Sequence, residues 1–582
     1  MARKPIAKSV PKPDERKAPP RSRRYQAACD HVLGGRLAEA RQLYAKLDTP
    51  RASPELRARI ANDLAVIAAL EGEPARAIEA FGAAAELGSR SARLNRQLLE
   101  AELESRSIPS LPPSDGSRPI RVAILSFLFN WPSTGGGTVH TFELAKFLSL
   151  AGYEVRHIYA KFDGWGIGQV TDELPYHAEV LEFDEADWSL AAIQQRFRAA
   201  VAAFDPDRVI ITDSWNIKPW LADAVRGYPY LLRLQALECL CPLNNVRLLV
   251  EEGGRFRQCT LHQFASPAAC SRCLMERGGF SGALHQAERE LCGVGTREYH
   301  EALLRAFGEA EAILAVNPLT EAMLSPYARD VRVVTSGFDP ARFPWPPAKA
   351  TRAAWTENRC VFLFAGLTGE RMKGFHVLHE ACRRLWTRRR DFVVMVTADA
   401  DSSGYDDAFL HHVGWQSQEE LPRRFAEADV LVFPTIAQEA LGRTAVEAMA
   451  AGLPVVASRI GGLSFTVADG ATGLLCEPAD ADDLAHQLER LIDDPELRRR
   501  MGQAGRRRFE EHYTWDVIIE RHYRALLGRR DRGRDPAPTA AVDPRLGLPA
   551  SFLDDRNEPE PIDLPAGVDR LVTSSSPQYT LY

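Results

Sequence analysis

Two glutamates separated by seven residues, Glu439 and Glu447, lie in the segment most suggestive of chemistry, Val430–Ser458. An apolar strand is predicted to end at Pro434, and a helix is predicted to begin near Gly442. Glu439 then follows the carboxyl end of a strand, beside a helix N-terminus that favours an anionic ligand. Carboxylates also accept hydrogen bonds from sugar and ribose hydroxyls. The segment therefore predicts a site for a ligand that carries both hydroxyls and negative charge.

Basic side chains follow an earlier strand in the same half of the chain. In Phe362–Ala381, a strand is predicted to end at Gly366, and Arg371 and Lys373 precede a helix opened by Gly374. A lysine charge and helix N-terminal amides can offset the negative charge that builds on a departing diphosphate, without a metal ion. Lys373 and Arg371 are thus predicted to stabilise such a leaving group. A solvated, helix-capping lysine is the alternative.

A glycine run, Gly135–Gly137, separates a predicted apolar strand, Ile120–Phe127, from the helix after it. Backbone N–H groups of such a loop can approach a phosphate, so Gly136 and Gly137 are predicted to contact a diphosphate. The run does not fit G-x-G-x-x-G with a following ribose-binding acid, which disfavours a nicotinamide cofactor. His140 is interpreted either as a ligand-binding group or as a packed core histidine.

Cysteines cluster in one stretch of the chain, since five of the ten fall between Cys239 and Cys273. Four thiolates suit a tetrahedral structural zinc site that would stabilise an irregular insertion, here 239–275. Free thiols without a metal ion are the equal alternative. The predicted zinc ligands are Cys241, Cys259, Cys270 and Cys273.

Composition excludes several classes of function. The 582 residues are 45% hydrophobic and 26% charged, with a formal net charge of -6, so nothing indicates a nucleic-acid partner. The basic N-terminus lacks the apolar region of a secretion signal, and no run is long enough to span a membrane. We expect a cytoplasmic protein, peripheral at most at the inner membrane face. A nucleophile elbow is absent, and Asp399–Asp401 is interpreted as a strand-end turn.

Apolar runs alternate with helical segments from residue 118 to residue 527, which predicts parallel sheets covered by helices. The predicted fold class is α/β, with two Rossmann-like doubly wound domains and a ligand cleft between the carboxyl ends of their strands. The predicted boundaries are a disordered segment 1–22, a helical module 23–108, a first domain 118–338, a second domain 348–514, a crossover helix 515–527 and a disordered tail 528–582.

The helical module repeats itself with an offset of 37 residues, because a set of small and aromatic residues recurs at matching positions. Small residues let paired helices approach closely, and the aromatic residue fills the groove between them. The pattern resembles the tetratricopeptide repeat, whose usual period is about 34 residues, and a generic helical hairpin pair is the alternative. The matching residues are Ala28, Gly35, Ala40 and Tyr44, followed by Ala65, Gly72, Ala77 and Phe81.

Residues 118–527, and most closely the second domain, resemble glycosyltransferase family 4 (glycosyl transferases group 1), which has the GT-B fold. The shared features are the two glutamates seven residues apart with the small-residue helix, the lysine after the first strand, and the glycine loop. The resemblance implies that Glu439 binds hydroxyls of the transferred sugar and Glu447 the nucleotide ribose. It further implies donor contacts from Gly366, Gly414, Trp415, Leu441, Gly442, Arg443 and Thr444.

Three positions depart from the family pattern. Leu367 stands where the family has an arginine, so Arg371 is predicted to reach the phosphates in its place. Phe465 replaces the usual glutamate after the Gly-Gly pair, which removes a polar contact near the donor. Gln235 replaces a histidine that in much of the family lies near the reacting sugar. The donor half of the site therefore follows the family more closely than the acceptor half.

By this resemblance, the chain is predicted to be a retaining, metal-independent glycosyltransferase. It would move a sugar from a nucleotide diphosphate sugar to a glycan or lipid-linked acceptor, such as a cell-surface polysaccharide precursor. One alternative is a weak or inactive GT-B scaffold that recruits a protein partner through residues 23–108. Another is a GT-B sugar-nucleotide epimerase, for which no residue gives positive support.

Overall fold

The computed structural model describes most of the chain from Arg24 to Gly528 and divides it into two compact units, Met1–Ser110 and Leu111–Tyr582. The predicted segments 1–22 and 529–582 lie outside the described residues. The described ranges are 24–25, 27–28, 31, 37–49, 52–70, 74–87, 89, 92–93, 95–96, 118–133, 135–250, 256–278, 282–345, 354–356, 358–399 and 404–528.

The first unit contains the helices Leu37–Leu47, Pro54–Leu70 and Pro74–Glu86. The repeated positions that are described, from Ala28 to Phe81, are buried in two apolar clusters, as expected if the repeated residues pack between helices. Tyr44 also donates a hydrogen bond to Asp63, at 2.9 Å. The resemblance to tetratricopeptide repeats itself stays a prediction.

The second unit begins with a seven-stranded parallel sheet in the order β3-β2-β1-β4-β5-β8-β9. Buried apolar runs form its centre, because both faces are covered by helices. Its strands are β1 Arg121–Ser126, β2 Glu154–Phe162, β3 Ala178–Phe183, β4 Arg208–Ile211, β5 Tyr230–Arg233, β8 Ala312–Ala315 and β9 Val331–Val333. Its helices are Gly136–Leu150, Leu190–Phe204, Lys218–Ala224, Arg297–Glu309 and Pro318–Leu324.

A six-stranded parallel sheet follows, in the order β12-β11-β10-β13-β14-β15. Its strands are β10 Cys360–Phe364, β11 Phe392–Val396, β12 Leu410–His412, β13 Val430–Phe433, β14 Val455–Ser458 and β15 Gly473–Cys476. Its helices are Phe375–Trp386, Leu421–Glu427, Arg443–Ala450, Leu463–Thr466, Ala481–Asp493 and Pro495–His512. The chain therefore has the two doubly wound domains that the alternation predicts.

The cysteine-rich insertion forms an antiparallel hairpin, β6 Leu248–Val250 with β7 Phe256–Gln258, followed by the helices Pro267–Arg277 and Ala283–Cys292. Although the hairpin lies within the first domain in sequence, Leu248 and Phe256 pack in the apolar core of the second domain. Gln258 also donates a side-chain hydrogen bond to the Ile436 carbonyl. The insertion thus contacts both domains.

After residue 512 the chain returns to the first domain. Trp515–Ile518 is α-helical, Ile519–Tyr523 is a π-helix and Arg524–Leu527 is α-helical again. Trp515 is fully buried in the core cluster of the first sheet, and its ring stacks on Phe147 at a centroid distance of 5.7 Å. The segment Trp515–Leu527 therefore crosses from the second domain to the first.

Candidate active site

Lys373 and Glu439 form the central ion pair of the cleft, with 2.9 Å between Lys373 Nζ and Glu439 Oε1. Both side chains are largely buried, at 22% and 16% exposure. Burial alone would lower the pKa of Lys373, but the carboxylates of Glu439 and Glu370 outweigh it, so the pKa of Lys373 is raised. The lysine is therefore firmly cationic where two strands of the second sheet end.

The backbone around Gly374 explains how two distant segments bring this pair together. The Met372 carbonyl accepts hydrogen bonds from the Thr435 hydroxyl and the Ile436 amide, both at 2.9 Å. Gly374 has φ +76°, and a Cβ on it would lie 1.8 Å from the Pro434 carbonyl oxygen. Only glycine tolerates this approach, so the loop after β10 is fixed on the end of β13.

The loop that carries Glu439 is fixed by its own backbone carbonyls. The Gly462 amide donates to the Glu439 carbonyl at 2.7 Å, and the Asn317 side chain donates to the Ala440 carbonyl at 2.7 Å. The Thr466 hydroxyl donates to the Leu441 carbonyl at 2.6 Å. Residues of both domains thus position this loop.

Polar atoms beside the ion pair have no partner among the described residues. Nε and Nη2 of Arg371, Oε2 of Glu370 and Nδ1 of His376 are buried without a hydrogen bond. Burial, followed by the Arg371 charge, lowers the pKa of His376 to about 4, so the histidine is neutral at pH 7. Buried polar groups normally have partners, so an unpaired guanidinium in a cleft fits an anionic ligand.

The glycine loop of the first domain lies against the second domain. A Cβ on Gly136 would come within 3.1 Å of Arg443 Cδ, and one on Gly137 within 3.2 Å of Asp213 Oδ1. These two glycines therefore allow a close approach of the Arg443 and Asp213 side chains to the loop. Their contact with a diphosphate stays a prediction.

Glu447 belongs to a buried charge network between the domains. Its Oε1 lies 3.6 Å from Arg342 Nη1, while Arg443 Nη2 and Trp515 Nε1 each lie 3.3 Å from Glu143 Oε2. Burial raises the pKa of Glu447 despite the two nearby arginines. Arg443 thus directs its side chain to the first domain, and a ribose would share Glu447 with Arg342.

The other predicted donor contacts occupy the same edge of the second sheet. Gly442 has φ +75° and is the N-cap residue of the helix Arg443–Ala450, without a side chain that could bind the first amides. The amides of the first turn, including that of Thr444, therefore point towards the cleft. Gly366 lies two residues after the end of β10. The carbonyls of Val413, Gly414 and Trp415 accept hydrogen bonds from Gln416 Nε2 at 3.0 to 3.1 Å. A base bound there would compete with Gln416.

His140 is fully buried, and its ring lies 5.3 Å from that of Trp515. Neither ring nitrogen has a hydrogen-bond partner among the described residues. Burial, with Arg233 and Arg443, lowers its pKa well below the usual value. The ring is thus packed in the core, and a part for His140 in ligand binding stays a prediction.

Asp213, which the sequence did not single out, is a buried carboxyl at the edge of the cleft. It follows β4, accepts a hydrogen bond from the Thr138 hydroxyl at 2.8 Å and faces Gly137. Nearby, Gln235 donates to the Thr212 hydroxyl at 2.6 Å. Burial raises the pKa of Asp213 to about 7. A single aspartate after a strand forms no motif, so no sequence signal marks it.

The pKa of Asp213 predicts how stability depends on pH. Below its unfolded-state pKa of about 4, such a carboxyl is protonated in both states and does not change the free energy of unfolding. Above its folded-state pKa of about 7 it is ionised in both states, and its burial lowers the free energy of unfolding by the full amount. Stability should therefore fall as pH rises through this window. Glu288, whose pKa burial also raises to about 7, adds to the fall.

We expect Asp213→Asn to reduce this fall by roughly 3 to 4 kcal/mol. Urea unfolding between pH 4 and pH 8 measures the difference, and Glu288→Gln is the comparison, because it removes another buried carboxyl whose pKa is raised to about 7 and should reduce the fall separately. An Asp213→Asn variant with the wild-type pH profile would contradict the assignment.

The four predicted zinc ligands are neighbours, since Cys241, Cys259 and Cys273 each contribute to the raised pKa of Cys270, after burial. Within the ranges that the structure describes, however, no three His, Cys, Asp or Glu side chains are arranged to hold a metal ion. The thiols as placed therefore do not form a ligand set, and the zinc site stays a prediction.

The second domain matches a known family model. Residues 349–508 match the model described as glycosyl transferases group 1. A D-inositol 3-phosphate glycosyltransferase of Arthrobacter sp. is 36% identical over 263 residues, which cover 41% of this chain and 62% of that protein. A 2-deoxystreptamine glucosyltransferase of Streptomyces kanamyceticus is 30% identical over 247 residues, 39% of this chain and 63% of that protein. The chain thus spans less than two thirds of these relatives.

Solved structures share the fold over a wider range. HepE of Anabaena, in complex with UDP and glucose, superposes with a TM-score of 0.50 at 16% identity, covering 70% of this chain and all of that one. A glycosyltransferase from Rickettsia africae has a TM-score of 0.50, also at 16% identity, over 71% of this chain. The predicted GT-B-like α/β fold is thereby confirmed. None of the described helices is long and apolar enough to cross a membrane.

Proposed function

We propose that this protein is a retaining glycosyltransferase that uses a nucleotide diphosphate sugar. The observation that carries the proposal is the Lys373–Glu439 ion pair, held in the cleft beside the unpaired Arg371. An anionic, hydroxyl-rich donor can satisfy all three groups, because phosphate oxygens accept from Lys373 and Arg371 while sugar hydroxyls donate to Glu439. The match of this segment to glycosyl transferases group 1 supports the same assignment.

In the proposed reaction, an acceptor hydroxyl attacks the anomeric carbon from the face that the diphosphate leaves. The new C–O bond forms as the bond to the phosphate oxygen breaks, and the acceptor proton passes to that oxygen. Lys373, Arg371 and the helix amides after Gly442 stabilise the charge that develops on the leaving group. Glu439 orients the sugar, and no catalytic metal ion is required.

The acceptor is proposed to enter from the first domain, opposite the donor. Asp213 and Gln235 follow neighbouring strands there, and both carry hydrogen-bonding groups close to the glycine loop. A glycan or a lipid-linked sugar offers the hydroxyls that such groups bind. A protein partner for the first unit and a structural zinc ion remain separate proposals, which the reaction does not need.

Arg371 provides a specific test of the donor site. We expect Arg371→Ala to weaken binding of a nucleoside diphosphate about tenfold to a hundredfold, because a charge-assisted hydrogen bond to phosphate is lost. Isothermal titration with UDP and GDP measures this, and Arg383→Ala is the matched control, since Arg383 pairs with Glu380 on the surface. Unchanged affinity in Arg371→Ala would remove Arg371 from the site.

A panel of nucleotide sugars separates the proposed class from its rivals. Slow donor hydrolysis, or release of nucleoside diphosphate on addition of an acceptor, supports transfer. Interconversion of two donors would indicate an epimerase, and absence of donor binding would indicate a scaffold.

A further inference from the structure

A second cavity, of about 230 Å³, lies between the two domains. The first domain contributes the ends of β8 and β9, and the second contributes the segment after β14 and the end of the helix Pro495–His512. The crossover segment contributes the remaining wall. The polar lining residues include Asn317, Thr335, Arg508, His512, Arg521 and His522.

The cavity is basic in a chain whose net charge is -6. Two arginines and two histidines line it, and no carboxylate does. Arg508 is held by the Phe465 and Thr466 carbonyls, and Arg521 contacts His512 Nδ1 at 3.0 Å, so neither arginine has a carboxylate partner in the described part of the chain. The exposed Glu511 lies 3.9 Å from His512.

The electrostatics of His522 agree with this excess of positive charge. Burial and the nearby Arg521, Arg233 and Arg332 lower the pKa of His522 to about 4. Of these arginines, Arg332 is paired with Asp330, and Arg233 donates to the Val334 carbonyl. Arg233, Arg508 and Arg521 thus all lack a carboxylate hydrogen-bond or ion-pair partner among the described residues, and of the three only Arg508 and Arg521 line the cavity.

The cavity adjoins the donor site but does not include Lys373 or Glu439. Lys373 and Glu439 follow β10 and β13, whereas the cavity lies at the ends of β8 and β9 and after β14. The two sites share one element, the loop Glu439–Leu441. Its carbonyls accept from Gly462, Asn317 and Thr466, and all three of these residues line the cavity.

We propose that this cavity binds a small phosphate-bearing anion between Arg508 and Arg521, and that its occupancy tunes the donor site. The anion would join the second domain, through Arg508, to the crossover segment, through Arg521, and would draw the domains together. Asn317 and Thr466 then hold the Glu439 loop more firmly. The second part of the proposal rests on the proposed glycosyl transfer, whereas anion binding itself does not.

Direct binding tests the first part without any assay of activity. Inorganic phosphate is titrated by calorimetry into a Lys373→Ala variant, in which phosphate binding at the donor site is weakened. We expect Arg521→Ala in this background to bind phosphate at least about tenfold more weakly. Arg507→Ala, which removes an exposed arginine from the same region of the chain, is the control and should bind normally. Arg521→Lys should restore part of the affinity.

The source of the phosphate is settled by a second titration with glycerol 3-phosphate. Tighter binding than that of inorganic phosphate identifies a phosphomonoester as the ligand, and weaker binding identifies the free ion. Equal phosphate affinity in the Arg521→Ala and Arg507→Ala variants, with both folded by circular dichroism, would overturn the proposal.

The coupling is tested with the otherwise unmodified protein. Because phosphate also competes at the donor site, the coupling is measured as a difference between variants. At the same phosphate concentration the donor KM of the wild-type protein should be about fivefold lower than that of Arg521→Ala, a typical coupling between sites, and without phosphate the two proteins should have equal KM and activity. If phosphate binds but changes the donor KM equally in both active proteins, the coupling is wrong. If the protein binds phosphate yet transfers no sugar, the proposed function fails and the anion site stands.

Discussion

Replacing Lys373 with alanine is expected to lower kcat for sugar transfer by about 10²- to 10³-fold, the usual loss when one preorganised charge donor is removed. Two effects add here. The leaving diphosphate loses a cation whose raised pKa keeps it charged, and Glu439 loses the partner that holds it 2.9 Å away. Steady-state kinetics with the donor found in the nucleotide-sugar panel measure the loss.

The matched control is Lys161→Ala. Lys161 forms an ion pair of the same length, 2.9 Å, with Glu182, but on the surface of the first domain. Surface pairs contribute little to stability, so this variant should keep wild-type kcat and thermal stability. If the two variants lost activity equally, or if Lys373→Ala kept most of its kcat, Lys373 would have no role in the reaction.

Replacing Gly374 with alanine is expected to be the most damaging glycine substitution near the site. The new Cβ would lie 1.8 Å from the Pro434 carbonyl oxygen, which no side-chain adjustment relieves. Strain at the positive φ adds roughly 1 kcal/mol or more. The loop must move, which separates Lys373 from Glu439, so we expect lower thermal stability together with a loss of kcat comparable to that of Lys373→Ala.

Gly470→Ala separates the clash from the backbone strain. Gly470 has the same φ, +76°, but a Cβ there meets nothing within 4 Å. This variant should lose only the modest thermal stability that strain at a positive φ costs, and it should keep its activity. Equal effects of the two substitutions would mean that the contact with Pro434 does not position Lys373.

Much of the fold follows from sequence pattern because central parallel strands are buried on both faces and appear as apolar runs. The predicted strand Ile120–Phe127 therefore lies close to the observed β1, Arg121–Ser126. Edge strands carry weaker patterns. β3 lies at a sheet edge and is mostly exposed, and β12 is the short edge sequence Leu410–His412. The hairpin β6–β7 lies in the irregular insertion.

The residues of the candidate site also differ in how well the sequence predicts them. Lys373 and Glu439 are predictable because each follows a recognisable strand and lies in a family-like segment. Their ion pair joins residues 66 positions apart in the chain, and the contact of Arg443 with Glu143 joins residues 300 apart. Such contacts depend on how the domains pack, which no local pattern encodes. For the same reason, the first-domain loop gave no sign that Asp213 would face Gly137.

The hairpin β6–β7 has a geometric consequence for cleft motion. It leaves the first domain and packs in the core of the second through Leu248 and Phe256, while the crossover segment returns and buries Trp515 in the first. The two domains are thus joined by the hairpin and, separately, by the crossover segment. We therefore expect opening of the cleft to be restricted, because a free twist of the domains would first require the hairpin to leave the core that it occupies.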